Sequence, residues 1–205
     1  MMDFYFFTTD NGYKGRMAME ESGLPYKLHL VNLRAKEQFN PEFMKISPGH
    51  KIPALHDPEG PGGPVTIAES GAILKYVSQK SQNGLYPSLP AQRVKVDQWL
   101  FYGSATYTTL AQQFGHWVIR SPDDNPGAKK FYTDNYIDML GILDRHLADH
   151  EYFADQYSVA DISMFPDTHL HGVNDIGLKD FKNVQRWHDA IWARPATQRA
   201  WGPHE

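Results

Sequence analysis

The hydrophobic pattern of the first part of the chain alternates between strand and helix. Residues 3–8 are aromatic and apolar and predict a strand, whereas residues 13–22 are mainly good helix formers that end at Gly23. Residues 26–31 alternate apolar and polar positions, which indicates a second strand. A strand, a helix and a strand this close together predict a right-handed βαβ unit with parallel strands.

Turn residues divide the next stretch into further short elements. Pro41 favours a helix start, and the run Asp-Pro-Glu-Gly-Pro-Gly-Gly-Pro at 57–64 is typical of a long hairpin loop. The predicted elements are a helix near 42–46, strands at 52–56 and 65–68, and a helix at 70–79. The order βαβαββα predicts an α/β domain, which we place at residues 1–84.

The pattern changes after Asn83 and Gly84. Pro87 and Pro90 indicate a linker, and the rest of the chain shows helical periodicity without a convincing strand. The predicted helices span 91–119 (with interruptions near Gly103 and Gly115), 128–150, 158–171, 181–193 and, at shorter length, 195–201. We therefore predict a second, all-helical domain at residues 90–205.

Composition narrows the possible functions. Of the 205 residues, 41% are hydrophobic and 21% are charged, as in ordinary globular proteins. No apolar run approaches the ~20 residues that span a bilayer, and the first residues lack the features of a signal peptide, so we expect a cytoplasmic protein with no membrane partner. The net charge of −4 falls within residues 87–205, and the lack of a basic stripe argues against nucleic-acid binding.

The chain contains no cysteine. This excludes disulfide bonds, thiolate metal ligands and a thiol nucleophile belonging to the protein, so any sulfur chemistry requires a ligand that carries the sulfur. The ten histidines show no spacing typical of a metal site; His169 and His171, for example, fall on different sides of a helix. We predict no metal.

Two segments are candidates for binding a peptide-like ligand. If the Ile52-Pro53 bond is cis, the backbone of Ile52 is free to pair with a ligand strand, although an ordinary trans proline at a strand start is the commoner case. Ser70, after Glu69, is predicted to cap a helix whose N-terminus suits a carboxylate, while Glu69 suits an ammonium group. Together Glu69 and Ser70 fit an amino-acid head, and plain capping is the alternative.

Two further segments carry polar residues at helix starts. Thr9 and Asn11 lie in the loop between the first strand and helix, where a hydroxyl or amide could donate a hydrogen bond to a thiolate; the alternative is that one of them caps the helix. Ser158 and Asp161 have the spacing of a capping box, for which the structural role is the preferred interpretation.

The order of these segments is more informative than any one of them. The segments are Thr9 and Asn11, then Ser47-Pro48-Gly49-His50-Lys51-Ile52-Pro53-Ala54-Leu55, then Glu69-Ser70-Gly71-Ala72-Ile73-Leu74, and finally Ser158-Val159-Ala160-Asp161. In this order, over nearly the whole chain, they resemble the cytosolic glutathione transferase superfamily. The opening Thr9 to Gly12 and the late Arg194-Pro195-Ala196 look like its nu-class branch of bacteria and their fungal relatives.

The resemblance implies a thioredoxin-like N-terminal α/β domain, an all-α C-terminal domain, a homodimer, and glutathione as cosubstrate. It also implies a role for each site residue: Thr9 and Asn11 beside the sulfur, Ile52 and cis-Pro53 on the cysteinyl part, Glu69 and Ser70 on the γ-glutamyl head, His50 and Lys51 near the glycine carboxylate, and Gln38 as a further polar contact. Tyr5 is a competing thiol donor that we rank lower, because it lies earlier in the strand.

Three functions remain open for this sequence. The resemblance favours reduction of small disulfides by bound glutathione, with some peroxidase activity. The second hypothesis is conjugation or isomerisation of an electrophile in a pocket between the domains, lined by Tyr13, Tyr107, Phe114 and Trp117. The third is a non-enzymatic relative that binds a partner protein, against which the intact site residues argue.

Overall fold

The computed structural model describes residues 1–203, which form two compact units. The first unit comprises Met1–Tyr86 together with the described residues from Arg194 onward, and the second comprises Pro87–Ala193. We predicted residues 90–205 as one domain; by compactness the described residues from Arg194 onward group with the first unit. No helix among residues 1–203 has the length and hydropathy needed to cross a membrane.

The first unit is built on a mixed four-stranded sheet. Its elements are β1 (Met2–Phe6), α1 (Asp10–Ser22), β2 (Tyr26–Leu30), α2 (Pro41–Ile46), β3 (Ala54–Asp57), β4 (Val65–Ala68) and α3 (Ser70–Ser81). The strand order is β2-β1-β3-β4; β1 runs parallel to β2, and the other two pairs are antiparallel. This confirms the predicted order βαβαββα, the parallel βαβ unit and the hairpin between β3 and β4.

Helix α1 lies unusually close to the sheet. Every residue of it from Gly12 to Met19 is buried, including two charged ones. A Cβ atom at Gly12 would lie 2.0 Å from the carbonyl oxygen of Phe7, and one at Gly15 would lie 2.7 Å from the ring of Phe4. The two glycines therefore allow the close approach that places the start of α1 against the end of β1.

Helix α9 (Pro195–Trp201) completes the first unit by packing on α1. Arg194 forms a bidentate ion pair with Glu21, with N···O distances of 2.7 and 3.0 Å. The ring of Trp201 stacks on that of Tyr13, with centroids 4.2 Å apart and planes 6° from parallel. These contacts hold α1, and with it the loop that precedes α1, in the first unit.

All the named secondary-structure elements of the second unit are helices, as predicted. Its helices are α4 (Pro90–Phe101), α5 (Thr108–Phe114), α6 (Pro126–Leu147), α7 (Val159–Asp167) and α8 (Lys182–Trp192). The interruptions predicted near Gly103 and Gly115 are π-helical segments, Tyr102–Tyr107 and Gly115–Arg120. A third π-helical segment, Thr168–Ile176, continues α7. At Gly103 the backbone is so close to α7 that a Cβ atom would lie 2.1 Å from Ser163 Oγ.

The start of α7 is the capping box predicted at Ser158 and Asp161. The Asp161 carboxylate accepts hydrogen bonds from the N–H groups of Ser158 and Phe153 and from Trp187 Nε1, at 2.9 to 3.1 Å. Burial raises the pKa of Asp161 to about 6, although these donors oppose the rise. The structural interpretation is confirmed, since this carboxylate joins α7 to α8 in the core of the unit.

Candidate functional site

The loop between β1 and α1 places Thr9 at the start of the helix. Its backbone is extended (φ −132°, ψ 162°), and its Oγ1 accepts a hydrogen bond from the N–H of Gly12 at 3.1 Å. Thr9 is therefore the N-cap of α1, the structural role that the sequence left open. A hydroxyl that accepts one bond still has its own hydrogen to donate, so this capping leaves Thr9 able to donate to a ligand.

Asn11 lies in the first turn of α1 and joins two other polar side chains. Its Oδ1 accepts one hydrogen bond from Lys14 Nζ at 3.0 Å and another from Ser70 Oγ at 3.2 Å. Lys14 is completely buried, which is rare for lysine unless a polar partner faces its ammonium group. This cluster connects the start of α1 to the start of α3.

Glu69 and Ser70 form the start of α3, but not as we predicted. Glu69 takes the N-cap position and Ser70 is the first helical residue, so the prediction that Ser70 caps the helix is wrong. The Ser70 hydroxyl instead donates across the site to Asn11. Glu69 has φ 71° and ψ 118°, a strained conformation for a residue other than glycine and one that clusters at functional sites. Its side chain is exposed beside the first-turn N–H groups.

The segment before β3 presents the backbone of Ile52. The Ile52-Pro53 bond is cis, as the resemblance implied. Among residues 1–203, neither the N–H nor the C=O of Ile52 has a hydrogen-bond partner. Both groups are thus available to pair with an extended peptide.

Ser47 shapes this segment from inside the protein. The buried Ser47 Oγ donates to the Lys51 carbonyl oxygen at 2.9 Å and accepts from the Lys51 N–H at 3.3 Å, while the His50 N–H donates to the Ser47 carbonyl oxygen at 2.8 Å. These three bonds close a tight loop that leads directly into Ile52. In the sequence Ser47 is only the first residue of the segment that carries the family resemblance, and a small polar residue before Pro-Gly carries no stronger signal of this role.

The three remaining predicted contacts, His50, Lys51 and Gln38, differ in their environments. His50 has φ 45° and its ring lies against Phe39, with centroids 4.9 Å apart, whereas Lys51 is exposed. Gln38 lies in a short 3₁₀ turn (Glu37–Phe39), and its Oε1 is buried without a hydrogen-bond partner among the described residues. Unpaired buried oxygens are rare, and this one suits a ligand that donates.

The electrostatics of this cluster favour anions. The Asn11–Ser70 hydrogen bond brings the N-termini of α1 and α3 to one place, and each helix N-terminus favours negative charge. The buried Lys14 side chain lies beside them, with its Nζ 3.0 Å from Asn11 Oδ1. Two carboxylates offset part of this field: Asp10 lies in the first turn of α1, and Glu69 lies at the start of α3, where it suits an ammonium group. The arrangement can thus hold an amino-acid head at one end and a thiolate at the other.

Tyr5, the competing thiol donor, lies on a different face of the sheet. Phe4 faces Gly15 of α1, and side chains alternate along a strand, so Tyr5 points away from α1. Its ring stacks on His29 at 4.8 Å and packs against Phe43. Burial, with a smaller effect from the charge of Asp3, raises the pKa of Tyr5. These observations support the lower rank that we gave to Tyr5.

The residues predicted to line a second-substrate pocket are mostly core residues. Tyr107 is 0% exposed and its hydroxyl bonds to those of Tyr136 and Thr168, while Phe114 is 1% exposed and stacks on Tyr136. For these two the prediction is wrong, because helical spacing of aromatic residues marked the core of the second unit. Tyr13 is also buried, against Trp201, and Trp117 alone of the four remains partly exposed.

Lys14 belongs to this cluster, although its sequence position did not predict it. It was counted only as a good helix former on α1. The available signal was its position three residues after Asn11, which places both on one face of the helix. What the sequence could not reveal is that α1 is covered on all sides, so that this face is not solvated.

The chain matches two family models. Residues 12–80 match the model described as "Glutathione S-transferase, N-terminal domain", and residues 110–199 match "Glutathione S-transferase, C-terminal domain". The chain is 35% identical over 204 residues to the disulfide-bond oxidoreductase YfcG of Escherichia coli strain K12, which covers 98% of this chain and 94% of that protein.

Two solved structures are similar over nearly the whole chain. One is a glutathione transferase from Pseudomonas putida with one glutathione disulfide bound per subunit; it is 35% identical, with a TM-score of 0.90, over 97% of this chain and 90% of that one. The other, from Burkholderia graminis, has two glutathione molecules bound per subunit; it is 36% identical, with a TM-score of 0.91, over 97% of this chain and 86% of that one.

Proposed function

This chain belongs to the glutathione transferase family, and we propose that it binds glutathione and uses the glutathione thiolate to reduce small disulfides. The observation that carries this proposal is the hydrogen bond from Ser70 to Asn11. It joins the start of α3, which suits an amino-acid head, to the start of α1, which suits a thiolate. A single short peptide with both groups fits this arrangement.

Each part of glutathione has a matching partner in the first unit. We assign the γ-glutamyl ammonium to Glu69 and its carboxylate to the Ser70 hydroxyl and the first-turn N–H groups of α3. The cysteinyl backbone pairs with the unpartnered N–H and C=O of Ile52, which precedes Pro53. We assign the glycine carboxylate to His50 and Lys51, and Gln38, whose buried Oε1 accepts, to a further polar contact with an N–H group of the ligand.

Thr9 and Asn11 are assigned to the sulfur. A free thiol has a pKa near ~8.5 and is only a few per cent thiolate at neutral pH. One charge-assisted hydrogen bond contributes ~1.5–3 kcal/mol, and each pKa unit corresponds to ~1.4 kcal/mol. A donor such as Asn11 or Thr9 therefore lowers the thiol pKa by about one to two units without a protein base.

The reaction needs two thiols from glutathione, since the chain has no cysteine. The first glutathione thiolate attacks one sulfur of the substrate disulfide, forming a mixed disulfide and releasing the other half as a thiolate that takes up a proton. A second glutathione thiolate attacks the glutathione sulfur of the mixed disulfide. The products are glutathione disulfide and two substrate thiols. The bound glutathione disulfide and paired glutathiones in the two similar structures support this sequence of steps.

The proposal predicts disulfide reduction in a coupled assay. The purified chain, with glutathione and 2-hydroxyethyl disulfide, should accelerate formation of glutathione disulfide, followed by NADPH consumption through glutathione reductase. Ser70→Ala should weaken glutathione binding about tenfold by calorimetry, because a hydrogen bond to the ligand carboxylate is lost. Ser88→Ala, which changes an exposed serine of the linker, is the matched control and should bind normally.

Two results would contradict this function. Failure to bind glutathione at millimolar concentration would favour a non-enzymatic binding protein instead. Faster turnover with a panel of electrophiles than with the disulfide would favour conjugation. A hydroperoxide in place of the disulfide tests the peroxidase activity in the same assay.

We further propose that the protein is a cytoplasmic homodimer. Glutathione is the thiol buffer of the cytoplasm, which supports that location. Large apolar side chains are exposed on two helices of the second unit, Val94 and Phe101 on α4 and Phe131 on α6. Sedimentation should give twice the 23.4-kDa mass of the chain, and a monomer at micromolar concentration would contradict the dimer.

A further inference from the structure

We propose that Lys14 is a positioning residue that decides which end of the Asn11 amide faces the sulfur of bound glutathione. The inference rests on the proposed function, in which Asn11 donates to that sulfur. Lys14 itself is buried on α1, one turn after Asn11, and acts through the hydrogen bond from its Nζ to Asn11 Oδ1 at 3.0 Å.

The chemistry of the ammonium group fixes the orientation of the amide. An asparagine side chain carries an oxygen acceptor and an NH₂ donor of nearly equal shape, and either could face a neighbour. The ammonium group of Lys14 has three donors and no acceptor, so only the oxygen of Asn11 can face it. The NH₂ group of Asn11 is thereby directed away from Lys14.

Ser70 cannot fix this orientation by itself. A hydroxyl can donate to the amide oxygen or accept from the amide NH₂, so it accommodates both orientations of Asn11. In the proposed complex the Ser70 hydrogen is also required by the γ-glutamyl carboxylate. Of the two groups that now donate to Asn11 Oδ1, Lys14 is the one that keeps its bond when the ligand is present.

The orientation matters because the two ends of the amide have opposite effects on a thiolate. The NH₂ end donates to the sulfur and stabilises its negative charge, whereas the oxygen end repels it. The positive charge of Lys14 also polarises the amide and strengthens the bond that its NH₂ group donates. Lys14 thus makes Asn11 a donor to the sulfur without contacting the sulfur itself.

The test replaces Lys14 by methionine, which has a similar length and no donor. Thiolate absorbance of bound glutathione, followed as a function of pH, should show the thiol pKa raised by about one unit, which lowers the thiolate fraction about three- to eightfold at neutral pH. The kcat/KM for disulfide reduction should fall by about the same factor at neutral pH and recover at high pH. The Kd for S-methylglutathione, which has no ionisable thiol, should stay within about twofold, because a loss that small corresponds to less than one neutral hydrogen bond.

Arg16→Met is the matched control for removing a buried cation from α1. Arg16 is 5% exposed, and its guanidinium donates to the carbonyl oxygens of Gly202 and Pro203. Its loss should lower thermal stability without changing the thiol pKa. If Arg16→Met and Lys14→Met raise the thiol pKa equally, the effect is not specific to Asn11 and the proposal is overturned.

A double variant separates positioning from a field effect of the charge. In the Asn11→Ala background, Lys14→Met should leave the thiol pKa unchanged, because no amide remains to be oriented. A further rise of the same size in that background would show that Lys14 acts through its charge alone and would overturn the proposal.

The outcomes also distinguish this inference from the proposed function. If the unchanged protein does not lower the thiol pKa of glutathione, the proposed function fails. If the unchanged protein lowers it and Lys14→Met lowers it equally, only the role of Lys14 fails. Should Lys14→Met not fold, Lys14→Leu, which also lacks a donor, serves instead; the same rise in the thiol pKa is expected, and no rise overturns the proposal.

Discussion

Asn11→Ala is expected to lower the kcat/KM for glutathione-dependent disulfide reduction about tenfold to a hundredfold at neutral pH. The variant removes the proposed donor to the thiolate, whose contribution of ~1.5–3 kcal/mol sets this range. It also removes the amide oxygen that lies 3.0 Å from Lys14 Nζ. Steady-state kinetics across pH, with the thiol pKa measured from thiolate absorbance, checks both consequences.

Two comparisons make this result specific. Asn125→Ala removes an asparagine that caps α6 through Ala128 N–H, so it should cost stability but leave kcat/KM unchanged. Thr9→Ala removes both a possible thiol donor and the N-cap of α1, and Thr9→Ser restores both. If Asn11→Ala keeps full activity while Thr9→Ala loses it, Thr9 is the donor and the role proposed for Asn11 is wrong.

The elements of the fold were predictable from local pattern because each element is bounded by strong local signals. Val65–Ala68 was predicted with its observed bounds, between a loop rich in glycine and proline and a polar helix start. The capping box at Ser158 and Asp161 was also predictable, since a fixed spacing of two side chains produces it. The helix interruptions at Gly103 and Gly115 were also predicted, but their π-helical form was not.

The candidate site was predictable only in outline, because its decisive contacts join residues far apart in the chain. The bond from Ser70 to Asn11 spans 59 positions, so the sequence offered only the common local alternative, in which Ser70 caps its own helix. Burial was equally unpredictable, because helical spacing of aromatic residues is the same whether they line a pocket or, as Tyr107 does, lie in the core. Lys14 was missed because surface lysines and buried lysines look identical in a helix-forming segment.

Asp161→Ala is expected to reduce the free energy of unfolding of the second unit by about 2–4 kcal/mol. Three N–H donors, those of Ser158, Phe153 and Trp187, would lose their buried acceptor, at ~1–3 kcal/mol each. Part of this loss is offset because a buried carboxylate, itself costly to keep charged, is also removed. Urea unfolding followed by tryptophan fluorescence is the measurement, since four of the five tryptophans lie in this unit.

The effect should depend on burial and on the capping geometry rather than on loss of an acidic residue. Asp134→Ala is the matched control: Asp134 is exposed on α6 and pairs with Lys130 at 2.6 Å, an ion pair that water screens, so the urea midpoint of this variant should hardly change. Ser158→Ala removes one capping oxygen but keeps the carboxylate, and should cost about 1 kcal/mol. If Asp161→Ala is no more destabilising than Ser158→Ala, the carboxylate does not hold α7 to α8, and the capping hydroxyl alone organises this core.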